Sequence, residues 1–97
     1  MATLILDKLE EQIKAELILL REALDQHESK KIVAVAHSLR GAANMAGAVA
    51  LGHVAQSLEE IGKSGNFDLA EACFLSLRTE AEGCLASIPD IRKSLES

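Results

Sequence analysis

From about Thr3 to Asp25 the apolar residues Leu6, Leu9, Ile13, Leu17, Leu20 and Leu24 recur at intervals of three and four, which lines one face of an α-helix. Gln26 to Ser29 is a short polar break, with Ser29 placed to act as the N-cap of the next helix. Ile32, Ala36, Leu39, Ala43 and Ala46 form a second stripe, and Gly47 stands where a helix closes through a left-handed turn, so a helix is predicted over Ser29 to Ala46. A third stripe, Leu51, Val54, Ala55, Leu58, Ile61 and Gly62, predicts a helix from Ala48 to Lys63, closed by the turn-forming Ser64-Gly65-Asn66. From Phe67 the positions Leu69, Cys73, Leu77, Ala81 and Leu85 give a fourth stripe that runs to Ser87-Ile88-Pro89-Asp90. Proline there either kinks the helix or starts a short extra one. The capping-type spacing of Ser87 and Asp90 favours a restart over Pro89 to Leu95. Short connections between long amphipathic helices predict antiparallel neighbours, hence an all-α, up-down four-helix bundle.

Composition narrows this picture. A chain of 97 residues has room for one core, so residues 1–97 read as a single domain. It is 48% apolar and 26% charged with one proline, which excludes a disordered tail. The two phenylalanines are its only aromatics, so the core must be built from Leu, Ile, Val, Ala and Met, as helices allow. A net charge of −5 and the lack of aromatic faces argue against nucleic-acid binding. The longest apolar stretches, Ile32 to Ala36 and Met45 to Leu51, fall far short of the roughly 18 to 20 residues of a membrane span. The N-terminus lacks the basic stretch of a signal peptide, so a cytoplasmic location is expected. Cys73 and Cys84 would lie about 16 Å apart along one helix, beyond disulfide reach, and read as reduced, core-like residues.

One helical face does not suit a solvated bundle surface. Taking Ile32 as the centre of the core stripe, His37 falls about 140° away, with Arg40 and Asn44 beside it and Gly41 near the outermost line. Glycine in the middle of an exposed helix costs on the order of 1 kcal/mol relative to alanine, which points to close approach by a partner at Gly41. Ala34, Ser38 and Ala42 continue this face with small, uncharged side chains, a surface that invites docking. Ser29 to Leu58 carries Lys30, Lys31 and Arg40 and no acid, a segment of +3 that leaves −8 for the remainder of the chain. Such a field suits a phosphoryl group or an acidic partner. If the second and third helices turn about Ala48, His37 lies level with Glu59, at the edge of the third stripe, and Arg40 level with Gln56. A carboxylate that takes a proton from one ring nitrogen fixes the tautomer and leaves the other nitrogen nucleophilic. His27, in a turn, and His53, with no matched partners, read as plain surface residues. A metal site built from the three histidines is disfavoured because no Glu-x-x-His pairing occurs.

The run Ala36-His37-Ser38-Leu39-Arg40-Gly41-Ala42-Ala43, with Gly47-Ala48, Leu51 and Leu58-Glu59 after it, closely resembles the signature of the histidine-containing phosphotransfer (HPt) domains of two-component phosphorelays, approximately A-H-x-L-K-G-x-[SA] with a later glycine and a Leu-Glu pair. The likeness covers about thirty central residues and implies that His37 accepts a phosphoryl group from a receiver-domain aspartyl phosphate and passes it to another receiver, or serves a chemotaxis-kinase-like relay. Arg40 stands where the family has a lysine that helps hold the phosphoryl group; arginine keeps the charge and grips phosphate with a different geometry. Glu59 matches the family's polar residue on the next helix, and Ala46 stands where a larger aliphatic is usual, a space Met45 is placed to fill. The implied partners are a response-regulator receiver domain, a histidine kinase, or both. Val33, Ala34, Ser38, Asn44 and Gln56 complete the expected contact surface. The sequence has no Gly-rich phosphate loop and no acid cluster for a metal, so the expectation is a monomeric phosphocarrier with no cofactor of its own, not an enzyme, the Mg²⁺ belonging to the receiver. The rival reading is a non-phosphorylated helical interaction module that docks through the Ala34 to Ala42 surface.

Overall fold

Each periodic segment becomes one helix: α1 (Ala2–Asp25), α2 (Ser29–Met45), α3 (Val49–Ser64) and α4 (Phe67–Glu96). The computed structural model describes the backbone of residues 2–96 and the side chains of residues 7–86. The helices pack in a ring, α1 on α2, α2 on α3, α3 on α4 and α4 back on α1, an up-down bundle 47 Å long whose length is set by the 30-residue α4. Ile13, Leu20, Ile32, Leu39, Leu51, Leu58 and Leu77 are fully buried along its axis, with alanines filling the gaps and Phe74 the one buried aromatic.

The turns are set by left-handed residues. At the end of α2, Gly47 has φ +71°; Ala48 N–H donates to Ala43 O at 2.8 Å and Gly47 N–H to Asn44 O at 3.2 Å, which satisfies carbonyls left open by the helix end. The end of α1 repeats this pattern with His27 in glycine's place at φ 53°, Glu28 N–H donating to Ala23 O and His27 N–H to Leu24 O. The His27 ring stacks on Phe67 with centroids 4.5 Å apart, which joins the first turn to the start of α4.

The expected elements differ from the observed ones in five respects. Ser29 is the first residue of α2 and not its N-cap, a place held by Glu28 without a side-chain bond; the Ser29 hydroxyl donates instead to Gly62 O at the end of α3. In α4 the buried line is Ala70, Phe74, Leu77 and Ala81, while Leu69 is exposed. A stripe stepped only by four drifts about 40° per turn around a 3.6-residue helix, whereas the observed line mixes steps of three and four. Ala42 is buried at 3% exposure, one turn after Ser38, whose hydroxyl meets α1, and is no part of the outward surface. Ala46 and Met45 lie exposed at the helix end, so Met45 fills no core space. Finally, α4 continues through Pro89 to Glu96 without a restart. Proline removes one backbone donor, a local loss that leaves the helical turns on either side intact. The capping side chains of Ser87 and Asp90 lie outside the described residues.

Candidate functional site

Helices α2 and α3 come close at Gly62, where an added Cβ would meet Val33 Cγ2 at 3.0 Å and Ile32 Cγ2 at 3.1 Å. Val33 is thereby half-buried against α3 and belongs to the helix contact more than to an open surface. This approach sets the two helices level, so that His37 of α2 meets Glu59 of α3. The His37 side chain is 64% exposed and that of Glu59 only 9%. His37 Nδ1 lies 3.0 Å from Glu59 Oε1 and 3.4 Å from Oε2. A carboxylate can only accept, so Nδ1 carries a proton and donates it to Glu59, and in the neutral ring the lone pair is then on Nε2.

Arg40 Nη2 also stands 3.1 Å from His37 Nδ1, and Nη1 lies 3.8 Å from Glu59 Oε1. With the ring proton given to Glu59, Nδ1 has no lone pair for the guanidinium, so Arg40 is held there by the carboxylate charge and by its place one helical turn after His37. Lys63 Nζ lies 3.8 Å from Glu59 Oε2. Burial pushes the Glu59 carboxyl upward, but the hydrogen bond from His37 and the positive charges of Arg40 and Lys63 more than offset it, so Glu59 titrates below its ordinary value. It is an anion at neutral pH, presented to an exposed ring by a mostly buried stem.

The surrounding residues divide. Gly41 is exposed, and a Cβ there would meet nothing within 4 Å, as expected of a position open to a partner. Ala34 and Gln56 are exposed, and no hydrogen bond joins Gln56 to Arg40 among the described residues. Asn44 is exposed with Oδ1 over the backbone of buried Gly52, where a Cβ would come within 2.9 Å of it. Ser38 is exposed, but its hydroxyl donates to Glu16 on α1. Lys63 and Glu16 escaped the sequence reading. The four-residue step from Glu59 to Lys63 along one helix was a signal for the first. Glu16 lies one position off the Ile13–Leu17–Leu20 stripe, where the apolar period alone does not mark it as buried.

His27 and His53 are exposed and stand apart from this site. No three of the His, Cys, Asp and Glu side chains gather closely enough to hold a metal among the described residues. Nor is any described helix long and apolar enough to cross a membrane. Cys73 and Cys84 are half-buried thiols, and burial pushes both up, toward the inert protonated form.

Neither the curated proteins nor the solved structures searched give a match to this chain. Its sequence does match the Hpt domain family, over residues 4–88. Those residues take in nearly the whole of the bundle and the His37–Glu59 pair with it, and the chain belongs to the Hpt domain family, whose members are phosphocarriers of two-component phosphorelays.

Proposed function

We propose that His37 is the phospho-acceptor of a phosphorelay intermediate, taking a phosphoryl group from the aspartyl phosphate of one receiver domain and passing it to another. The observation that carries this reading is the exposed imidazole whose Nδ1–H is held 3.0 Å from a buried carboxylate, which leaves Nε2 as a free, oriented nucleophile. Nε2 attacks phosphorus in line, the N–P bond forms as the acyl P–O bond breaks, and the receiver's aspartate leaves as carboxylate. The ring then carries positive charge shared with Nδ1–H, and Glu59 stabilises it. In the return step the same bond breaks toward the second aspartate. Such transfer needs positioning and charge neutralisation more than covalent help.

In this reading Arg40 turns its guanidinium to the phosphoryl oxygens, Gly41 lets the receiver backbone close on α2, and Ala34, Asn44 and Gln56 lie under the receiver. The Mg²⁺ of the reaction belongs to the receiver, and the chain brings no nucleotide site. The test is incubation with a ³²P-labelled phosphorylated receiver. The wild-type chain should acquire acid-labile, alkali-stable label, His37→Ala none, and Arg40→Ala label about ten- to a hundredfold more slowly with helicity unchanged. Docking without any label would favour the rival interaction module instead.

A further inference from the structure

Glu16 of α1 is buried at 7% exposure, yet it takes no part in the His37–Glu59 arrangement. Its Oε1 accepts a hydrogen bond from the Ser38 hydroxyl and another, at 3.2 Å, from Gln12 Nε2, which itself lies 3.5 Å from Ser38 Oγ. Its Oε2 is buried with no hydrogen-bond partner among the described residues. A buried carboxylate with one oxygen unmatched is a costly thing to place between helices, and an apolar side chain of the same volume would serve packing better. Stability does not account for it.

Its position suggests what does. Ser38 follows His37 directly, and consecutive side chains on a helix diverge by about 100°, so Ser38 leans toward α1 while His37 leans toward α3. The helix is gripped from both flanks at one level, Ser38 by Glu16 and His37 by Glu59. Between the two grips the buried face of α2 is Ala36, Leu39, Ala42 and Ala43, with Ile32 a turn earlier. Three of those four residues are alanines, whose methyl groups interlock shallowly, so at the level of His37 packing keys the rotation of α2 chiefly through Leu39.

We infer that Glu16 is a positioning residue for His37: by holding Ser38 it fixes the rotation of α2 at which His37 Nδ1 meets Glu59. The effect on phosphotransfer rests on the function proposed above, whereas the effect on the ring is a property of the resting chain and is measured separately. Two substitutions separate hydrogen bonding from bulk. Glu16→Gln keeps an acceptor for Ser38, and Glu16→Met keeps the volume and removes it. Two-bond ¹H–¹⁵N spectra of the His37 ring should show the Nδ1–H form in the wild type and in Glu16→Gln, and a mixture of both tautomers in Glu16→Met and in Ser38→Ala. The rate of labelling by a phosphorylated receiver should fall about ten- to a hundredfold in the last two, as for other small misplacements of reacting groups. The unfolding midpoint of Glu16→Met should hold or rise. An unchanged tautomer and rate in Glu16→Met overturns the inference, and Ser38→Ala decides it should Glu16→Met fail to fold. Failure of the wild type to take label contradicts phosphotransfer alone, the tautomer spectra still deciding the role of Glu16.

Discussion

His37 is distinguished by the company of its ring. Among the described residues no carboxylate pairs with the exposed imidazoles of His27 and His53, whereas His37 has Glu59, itself steadied by Arg40 and Lys63. Because Glu59 titrates below its ordinary value in the folded chain, the stability it contributes is present above the ordinary carboxylate pKa of about 4.3 and is lost as pH falls through the lower folded value. Glu59→Gln should therefore flatten the acid limb of the stability curve, read from urea unfolding at neutral pH and at about pH 3.5; curves that stay parallel would show that the charge contributes nothing. Gly41 supplies a contrasting test. With open space around its Cα, Gly41→Ala should raise stability by up to about 1 kcal/mol, and Gly41→Leu should fold as well while blocking receiver docking in a titration. Much of this was legible in the sequence, because His37 and Glu59 lie on one hairpin whose period and turn fix their heights. Glu16 was not, since a stripe on α1 sets its buried face without saying which residue of α2 it meets.

At the scale of elements, α2 and α3 form the working unit and α1 and α4 its support. Close contact at Gly62 and the Ser29 hydroxyl on Gly62 O lock the far end of the hairpin, while Gly47 shapes the near end. The support is tied across α1 and α4 by Arg21, whose Nη1 and Nη2 donate to Glu71 Oε1 and Oε2 at 2.6 and 2.7 Å and whose guanidinium carbon lies 5.2 Å from the Phe74 ring centroid. Glu71 is accordingly held below its ordinary value by Arg21. Both side chains are partly exposed, so Arg21→Ala should cost only about 1 kcal/mol, and should leave receiver labelling unchanged. Urea unfolding and the labelling rate check the two halves of that statement. Boundaries of α1 to α3 were readable to within a residue because stripe and turn chemistry agree there. The buried line of α4 was misread because Leu69 looks more hydrophobic than Ala70, yet the position at Ala70 faces the core.

For the whole molecule, the net charge of −5 conceals a division. The acids are spread over α1, Glu28 in the turn after it, the later part of α3 and α4, while α2 carries Lys30, Lys31 and Arg40 with no acid, and Lys63 joins them across the hairpin at Glu59. In the function proposed above, this mildly basic face on an acidic bundle is what draws an anionic phosphoryl group or an acidic receiver pocket toward His37. One helical core is enough for this task, since a carrier presents one imidazole and the receiver brings the rest of the reaction centre. The central claim is that the bundle exists to present Nε2 of His37. Its most direct test is to mix the wild-type chain and His37→Gln with a ³²P-labelled receiver and map the label after proteolysis. The account predicts acid-labile label in the wild type, confined to the peptide containing His37, and none in His37→Gln at equal helicity. Label of undiminished intensity in His37→Gln, or no label in a folded wild-type chain presented with every receiver of its host, would contradict it.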